Sequence, residues 1–392
     1  MSSTELQSAS PARPNWAEVS LSALRQNYRI IARHVAPSAV CAVVKCDAYG
    51  HGVVECARAL EAEGAEWLGI TSTEEGLRLR QARIGCRILV MTGFWRGEEE
   101  ALIAGRLTPA VWTVEHLELL ERAARARHNP GKLPVHLKID TGMGRLGLPF
   151  TEVQKMAGRI AASSELELEG VCSHLASSEV LGAQDAAAQI ARFAHIREQL
   201  RSMGIEPRYR HLANTAAIVG RPETWDNMVR PGLVLYGYNL PYAVPGDFDE
   251  QQIPKPLPVT PILSWKTRVI SLRDFPAGQA IGYNGTFVTK APSRIAVIAA
   301  GYGDGFRRGM SNKGRVIVRN RYAPMVGNIS MDLSTIDVTA IPGVAVGDEV
   351  LLIGASGQCS VTAQDQAQWA GTIPYEITCG LAARVPRIYL DR

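Results

Sequence analysis

Between Val40 and Gly237 short apolar runs alternate with longer amphipathic stretches, eight times over. The strand candidates are Val40–Lys45, Trp67–Thr71, Arg87–Met91, Pro109–Trp112, Val135–Asp140, Leu168–His174, Arg208–Leu212 and Met228–Tyr236. Between them lie stretches such as Glu74–Ala82, Glu115–Ala126 and Ala186–Met203, whose apolar residues recur at helical spacing. Eight strands alternating with helices is the count of an α/β chain folded as a (β/α)8 TIM-like barrel, which takes ~250 residues. On pattern alone a doubly wound open sheet remains the structural alternative.

The rhythm breaks at Tyr242–Pro261, where Pro245, Pro254, Pro256, Pro258 and Pro261 leave no apolar period. This reads as a linker. Beyond it the runs Ile262–Leu272, Arg294–Ala299, Arg315–Val318, Ser334–Val338 and Glu349–Ile353 are β-like, punctuated by Gly327-Asn328 and Gly343–Asp348. The expected organisation is a flexible N-terminal extension over 1–14, a barrel domain over 15–250 and a C-terminal, mostly antiparallel β-domain over 251–392. Asn15–Leu21 is a candidate extra strand of that second domain.

Composition narrows the function. A net charge of +4, carried by no block of like charges, does not indicate nucleic-acid binding. No apolar run approaches the ~20 residues of a membrane helix, and Met1–Pro14 lacks the apolar core of a secretory signal. No membrane association is expected. Seven scattered cysteines without CxxC spacing read as reduced thiols of a cytoplasmic protein, not as a disulfide frame or a zinc site, and no metal is expected.

The first chemical signal is Ala42-Val-Val-Lys45-Cys-Asp-Ala-Tyr49-Gly-His-Gly52, in which a lysine closes an apolar β-run before a Gly-rich turn. Catalytic groups of barrels sit at the C-terminal ends of strands. A partly desolvated ammonium there loses its proton more readily and becomes a nucleophile or base. The plain alternative, a lysine reaching solvent at a strand end, stands equally on this segment alone.

This run is similar to the pyridoxal-phosphate lysine motif of the alanine racemase family. Further matches follow in order from about Asn15 to Tyr389. They are His136-Leu-Lys138-Ile-Asp-Thr-Gly-Met-Gly-Arg145-Leu-Gly, His174-Leu-Ala, His211-Leu-Ala-Asn214-Thr215-Ala, Arg230-Pro-Gly232-Leu233-Val-Leu-Tyr-Gly, Gly282-Tyr283-Asn-Gly-Thr, Gly301-Tyr302-Gly-Asp-Gly and Gly327-Asn-Ile-Ser-Met331-Asp332. The resemblance implies a pyridoxal 5'-phosphate barrel followed by a β-domain. It also implies a homodimer with shared active sites, in which the second domain completes the partner's site, and a small amino acid as substrate.

It further implies roles residue by residue. Lys45 supplies the amine that binds the cofactor aldehyde. Tyr49, Asn214, Thr215, Gly232 and Leu233 surround the phosphate. Arg230 faces the pyridine nitrogen and, because arginine does not give up its proton, leaves that nitrogen unprotonated and discourages transamination. His174 holds Arg230 by a hydrogen bond. Arg145 meets the cofactor's phenolic oxygen and the substrate carboxylate, which also meets the backbone N–H of Met331. Asp332 and Tyr302 lie near the mouth of the site. Lys138 beside Arg145 is an unfavourable pair of cations, and the family's usual remedy is carbamylation of this lysine. Tyr283, from the partner subunit, is the second base. Racemisation needs an acid and a base on opposite faces of a planar carbanion, and a phenol serves only where cations or hydrogen bonds favour its ionised form.

Cys46-Asp47 and Thr215 depart from commoner family residues without losing size or hydrogen bonding. Ala383 stands where some members carry a phosphate-contacting tyrosine. The expected activity is therefore two-base interconversion of L- and D-alanine, supplying D-alanine for peptidoglycan if the source is bacterial. Broader amino-acid or serine racemisation is the alternative that Ala383 raises. A barrel-type decarboxylase would need a cysteine-centred second-domain motif that is not found.

Overall fold

The protein, seen as a computed structural model, is described over residues 13–128, 131–244 and 253–391. It forms two compact units. One holds residues 22–48 and 53–261, the other residues 13–21, 49–52 and 262–391.

The first unit is a barrel of eight parallel strands: Ala39–Val43, Trp67–Ile70, Arg87–Val90, Thr108–Val111, Leu133–Asp140, Leu166–Cys172, Tyr209–His211 and Met228–Val229. Each pairs with the next up to the seventh, and the eighth pairs with the first. The seam between seventh and eighth is sewn by Asn227, whose side chain accepts from Arg210 N at 2.7 Å and donates to Arg208 O at 2.7 Å. Arg230 N donates to Ala213 O across the same seam. A closed barrel replaces the open-sheet alternative. Apart from Arg87 at the start of strand three, strands two, three and four are apolar or small and almost wholly buried, as a parallel sheet covered by helices on its outer face requires. Cys41, Trp67, Leu89, Tyr209 and Met228, from strands one, two, three, seven and eight, meet in one core cluster.

The eighth strand is shorter than the sequence suggests. It ends at Val229, and the apolar run Leu233–Tyr236 is a buried 3-10 helix. Pro231 has no N–H to extend a ladder. Gly237 then takes a left-handed turn, where a Cβ would lie 2.0 Å from Thr260 O. Of the expected linker, residues 245–252 lie outside the described residues. The rest is tied to the barrel, Leu257 by Asn239 and Thr260 by Asn27.

The second unit is built on a nine-stranded sheet. Its long strand Leu263–Phe275 pairs antiparallel with Asn15–Ser20, Ser293–Ile298 and Glu349–Ser356. The Asn15–Ser20 strand also pairs in parallel with Arg387–Leu390. Of the expected extension, residues 1–12 lie outside the described residues, but Arg13 is held. Its guanidinium pairs with Asp304, a fully buried carboxylate that also accepts from Arg384 and from Gly301 N. That hub fixes the loop 301–305, which carries Tyr302 and whose Gly303 N donates to Met331 O.

Candidate active site

Each unit carries part of the predicted set. In the barrel, Lys45 follows the first strand by two residues and is half-buried. The chain then does something rare for L-residues: Cys46, Asp47, Ala48 and Tyr49 all have φ of 53–54°, a turn of left-handed helix. Such a conformation costs roughly 1–2 kcal/mol per residue. Local bonds hold it in place. Cys46 N donates to the Glu75 carboxylate at 2.5 Å, Asp47 accepts from Val53 N at 3.0 Å and pairs with Arg78, and Ala48 N reaches Val44 O at 2.9 Å. Strain kept at a strand end, under side chains committed to holding it, is a mark of a positioned functional residue.

His136 and Lys138 occupy alternate, same-face positions of the fifth strand, and both are buried. Lys138 Nζ donates to Met91 O at 3.2 Å. Burial pushes its ammonium below the usual lysine range, and Arg230, Arg145 and Lys45 push it further. The half-buried His174 reports the same surroundings. Burial first, then Arg230, Lys138, Arg145 and Lys45, bring its imidazole down to about 3. The largest charges acting on this histidine are cationic. Arg145 closes a loop wound around Asp140, whose carboxylate accepts from the N–H groups of Gly142, Met143 and Gly144. Gly147 in that loop has φ 133°, and a Cβ there would lie 2.6 Å from Asp140 N.

At the seventh strand, Asn214 caps the short helix Thr215–Gly220 by accepting from Ala217 N. The Thr215 hydroxyl accepts from Gly232 N at 3.0 Å, so the loops after strands seven and eight are joined and the hydroxyl proton is left to donate elsewhere. Leu233 is fully buried.

Arg230 is buried, and one prediction about it needs correction. Its Nη1 donates to His211 Nδ1 at 2.6 Å and to His211 O at 2.9 Å, and its Nη2 to Ser173 O at 2.7 Å. The imidazole holding the guanidinium is His211, not His174. The sixth strand stops at Cys172, so His174 belongs to the loop beyond it, whereas His211 is the last, fully buried residue of the seventh strand. His211 continues to His136 at 2.8 Å, and His136 lies 3.6 Å from Glu169, which pairs with Arg87 at 2.6 Å. Sequence reasoning missed this row. Its signal was present, because His136 shares the face of Lys138 at i, i+2.

In the second unit, Gly282 at φ 72° and Asn284 at φ 62° form the tight turn that carries Tyr283. Asn328 Nδ2 donates to Tyr283 O at 2.9 Å. A cavity of about 310 Å³ adjoins it, lined by Gly282, Tyr283, Asn328, Ser330, Leu333, Ser334 and Thr335. Tyr283 is 69% exposed and Met331 54%, with Tyr302 and Leu333 also exposed. Asp332 pairs with Arg384, and the neighbouring Ala383 is exposed. Tyr49 is buried beside Tyr375, ring centres 5.9 Å apart.

Chemically, the barrel half is a set of cations, namely Lys45, Lys138, Arg145 and Arg230, together with a donating hydroxyl at Thr215. That donor set fits a phosphorylated aldehyde and a carboxylate, whose negative charges the cations would balance. The fold and this site define a class, barrel enzymes that bind an anionic cofactor at the C-terminal ends of their strands. Comparison with known proteins agrees. The alanine racemase N-terminal domain model matches residues 19–240 and the C-terminal domain model residues 262–389. An alanine racemase of Geobacter sulfurreducens is 41% identical over 387 residues, covering 97% of this chain and 98% of that protein. The crystal structure of alanine racemase from Streptomyces lavendulae superposes with a TM-score of 0.89 at 33% identity, covering 98% of each chain. Alanine racemase from Bartonella henselae, solved with covalently bound pyridoxal phosphate, gives 0.84 at 30% identity, covering 96% of this chain and 99% of that one. The chain belongs to the alanine racemase family.

Proposed function

We propose that this protein is a pyridoxal-phosphate-dependent isomerase that interconverts L- and D-alanine with two bases, Lys45 and Tyr283. The observation that carries the reading is the set of cations acting on His174, namely Lys45, Lys138, Arg145 and Arg230, in a chain of the alanine racemase family. The bound cofactor supplies an aldehyde that links covalently to amines and a conjugated ring that stabilises negative charge at Cα.

The chain's residues do the rest. Lys45 holds the cofactor and moves a proton at one face of Cα. Arg230, locked by His211 and backbone carbonyls, offers only donors to the ring nitrogen, so no proton is placed there and little charge spreads onto the ring. Thr215, with Asn214, Tyr49, Gly232 and Leu233, holds the phosphate. Arg145, with the N–H of Met331, receives the substrate carboxylate. The lowered Lys138 ammonium makes a neutral amine available, the form that carbamylation requires, and the resulting anion would pair with Arg145. The exposed Tyr283, Tyr302, Met331 and Leu333 cluster on one surface, which fits burial against a partner subunit better than permanent exposure to water. Seven free thiols suit a reducing cytoplasm.

The test is to follow D-amino-acid formation across a panel of L-amino acids. Alanine is expected to lead. Comparable rates with serine would shift the reading to broader racemisation, and CO2 release without inversion would replace it by decarboxylation. The shared-site dimer has its own check. Mixing inactive Lys45→Ala and Tyr283→Phe subunits under exchange is expected to restore part of the activity, because one heterodimer site keeps both bases. No recovery despite demonstrated exchange would mean that each site is built within one chain.

A further inference from the structure

Arg230 is a buried cation that donates to one imidazole and to the carbonyls of His211, Ser173 and Leu212. A guanidinium has donors only. His211 Nδ1, 2.6 Å from Arg230 Nη1, must therefore accept, and the proton of this neutral imidazole must sit on Nε2. That Nε2–H points to His136 Nδ1 at 2.8 Å, so Nδ1 of His136 accepts in turn and its proton also lies on Nε2. The His136 Nε2–H faces the Glu169 carboxylate at 3.6 Å, an electrostatic contact beyond hydrogen-bond length, and Nε2 has no other partner among the described residues. Both hydrogen bonds run one way, from the cation in the site towards the sixth strand, where the Glu169 carboxylate attracts the last N–H across 3.6 Å. Both imidazoles are pushed below the usual histidine range by burial first; Arg230 adds to this at His211, and at His136 Arg87 and Arg230 add to it while Glu169 opposes it without reversing the direction. Burial raises the Glu169 carboxyl, but its contacts with His136 and Arg87 outweigh this and keep it ionised.

The row is also held mechanically. Gly170 makes room for the His136 ring, since a Cβ there would lie 2.7 Å from three ring atoms. The ring lies against Trp67 and Tyr209, with centres 5.4 and 5.9 Å away. Arg87, which pairs with Glu169 at 2.6 Å, stacks over Trp67 at 4.1 Å.

We propose that Glu169 and His136 are positioning residues for Arg230: the carboxylate locks both imidazoles in the one tautomer that accepts from the guanidinium. If either ring flipped its proton to Nδ1, His211 would present a donor to a donor and Arg230 would be pushed from its place. What this does to the reaction rests on the reading of Arg230 as the partner of the cofactor's ring nitrogen.

The experiment is 15N NMR of histidine-labelled holoenzyme, with the absorbance band of the bound cofactor and the ratio of transamination to racemisation measured alongside. In the unmodified protein His136 and His211 are expected to be neutral and protonated at Nε2. A proton on His211 Nδ1 there would overturn the proposal without any variant. Glu169→Gln is close in shape and provides both a donor and an acceptor, so a second tautomer of His211 is expected to appear, with racemisation lowered about 10–100-fold. Gly170→Ala keeps every donor and acceptor but presses on the ring, and is expected to move the same signals. Unchanged tautomers in both variants would overturn the proposal. Changed tautomers with an unmoved cofactor band and ratio would uphold the positioning but overturn the placement of Arg230 at the ring nitrogen.

Discussion

Lys45→Ala is expected to lower turnover by at least about 10⁴-fold. It removes two functions together, the amine that binds the cofactor and the base on one face of Cα. A positioned acid–base group alone is worth ~10²–10⁴-fold. The rival for the same role is Lys138, whose ammonium burial pushes below the usual lysine range. Geometry favours Lys45. Lys138 Nζ is committed to Met91 O on the inward face of the fifth strand, whereas Lys45 stands at a strand end beside a strained turn held by Glu75 and Asp47. Borohydride reduction of the holoenzyme followed by peptide mapping decides between them. The pyridoxyl label is expected on Lys45. A label on Lys138, or an unchanged cofactor absorbance in Lys45→Ala, would remove Lys45 from the chemistry.

The barrel was legible because its strands are short apolar runs bounded by turns. The predicted Trp67–Thr71 and Arg87–Met91 each end one residue late against Trp67–Ile70 and Arg87–Val90. The run Leu233–Tyr236 was misread because a buried 3-10 helix and a buried strand share the same apolar composition; only Pro231 and Gly232 hinted at the break. The short helices Ala363–Ala370 and Pro374–Cys379 also escaped, lying in a stretch read as β-domain, although Thr362 and Asp365 form a capping box. In the site, residues that act from strand ends were readable from motifs. The partner of Arg230 was not, because whether His174 or His211 faces inward depends on where a strand stops, and boundaries are the weakest part of any pattern.

Tyr283→Phe is expected to give the second large effect, and an asymmetric one. The change keeps the ring on its turn between Gly282 and Asn284 and removes only the hydroxyl. Each enantiomer of alanine presents its α-hydrogen to one face of Cα, and the proposed assignment gives the L-face to Tyr283 and the D-face to Lys45. Racemisation in both directions is expected to fall by ~10²–10⁴-fold, since each direction needs one group to remove a proton and the other to return one. Exchange of the α-hydrogen for deuterium without inversion separates the two groups. From D-alanine it is expected to persist, because Lys45 removes and replaces that proton unaided. From L-alanine it is expected to fall by the full factor, because the only group facing that hydrogen has lost its oxygen. Proton NMR in deuterated water reads both rates in one experiment. Equal losses for the two enantiomers would mean that Tyr283 positions the substrate, or that one base serves both faces. Loss from D-alanine alone would reverse the assignment of faces.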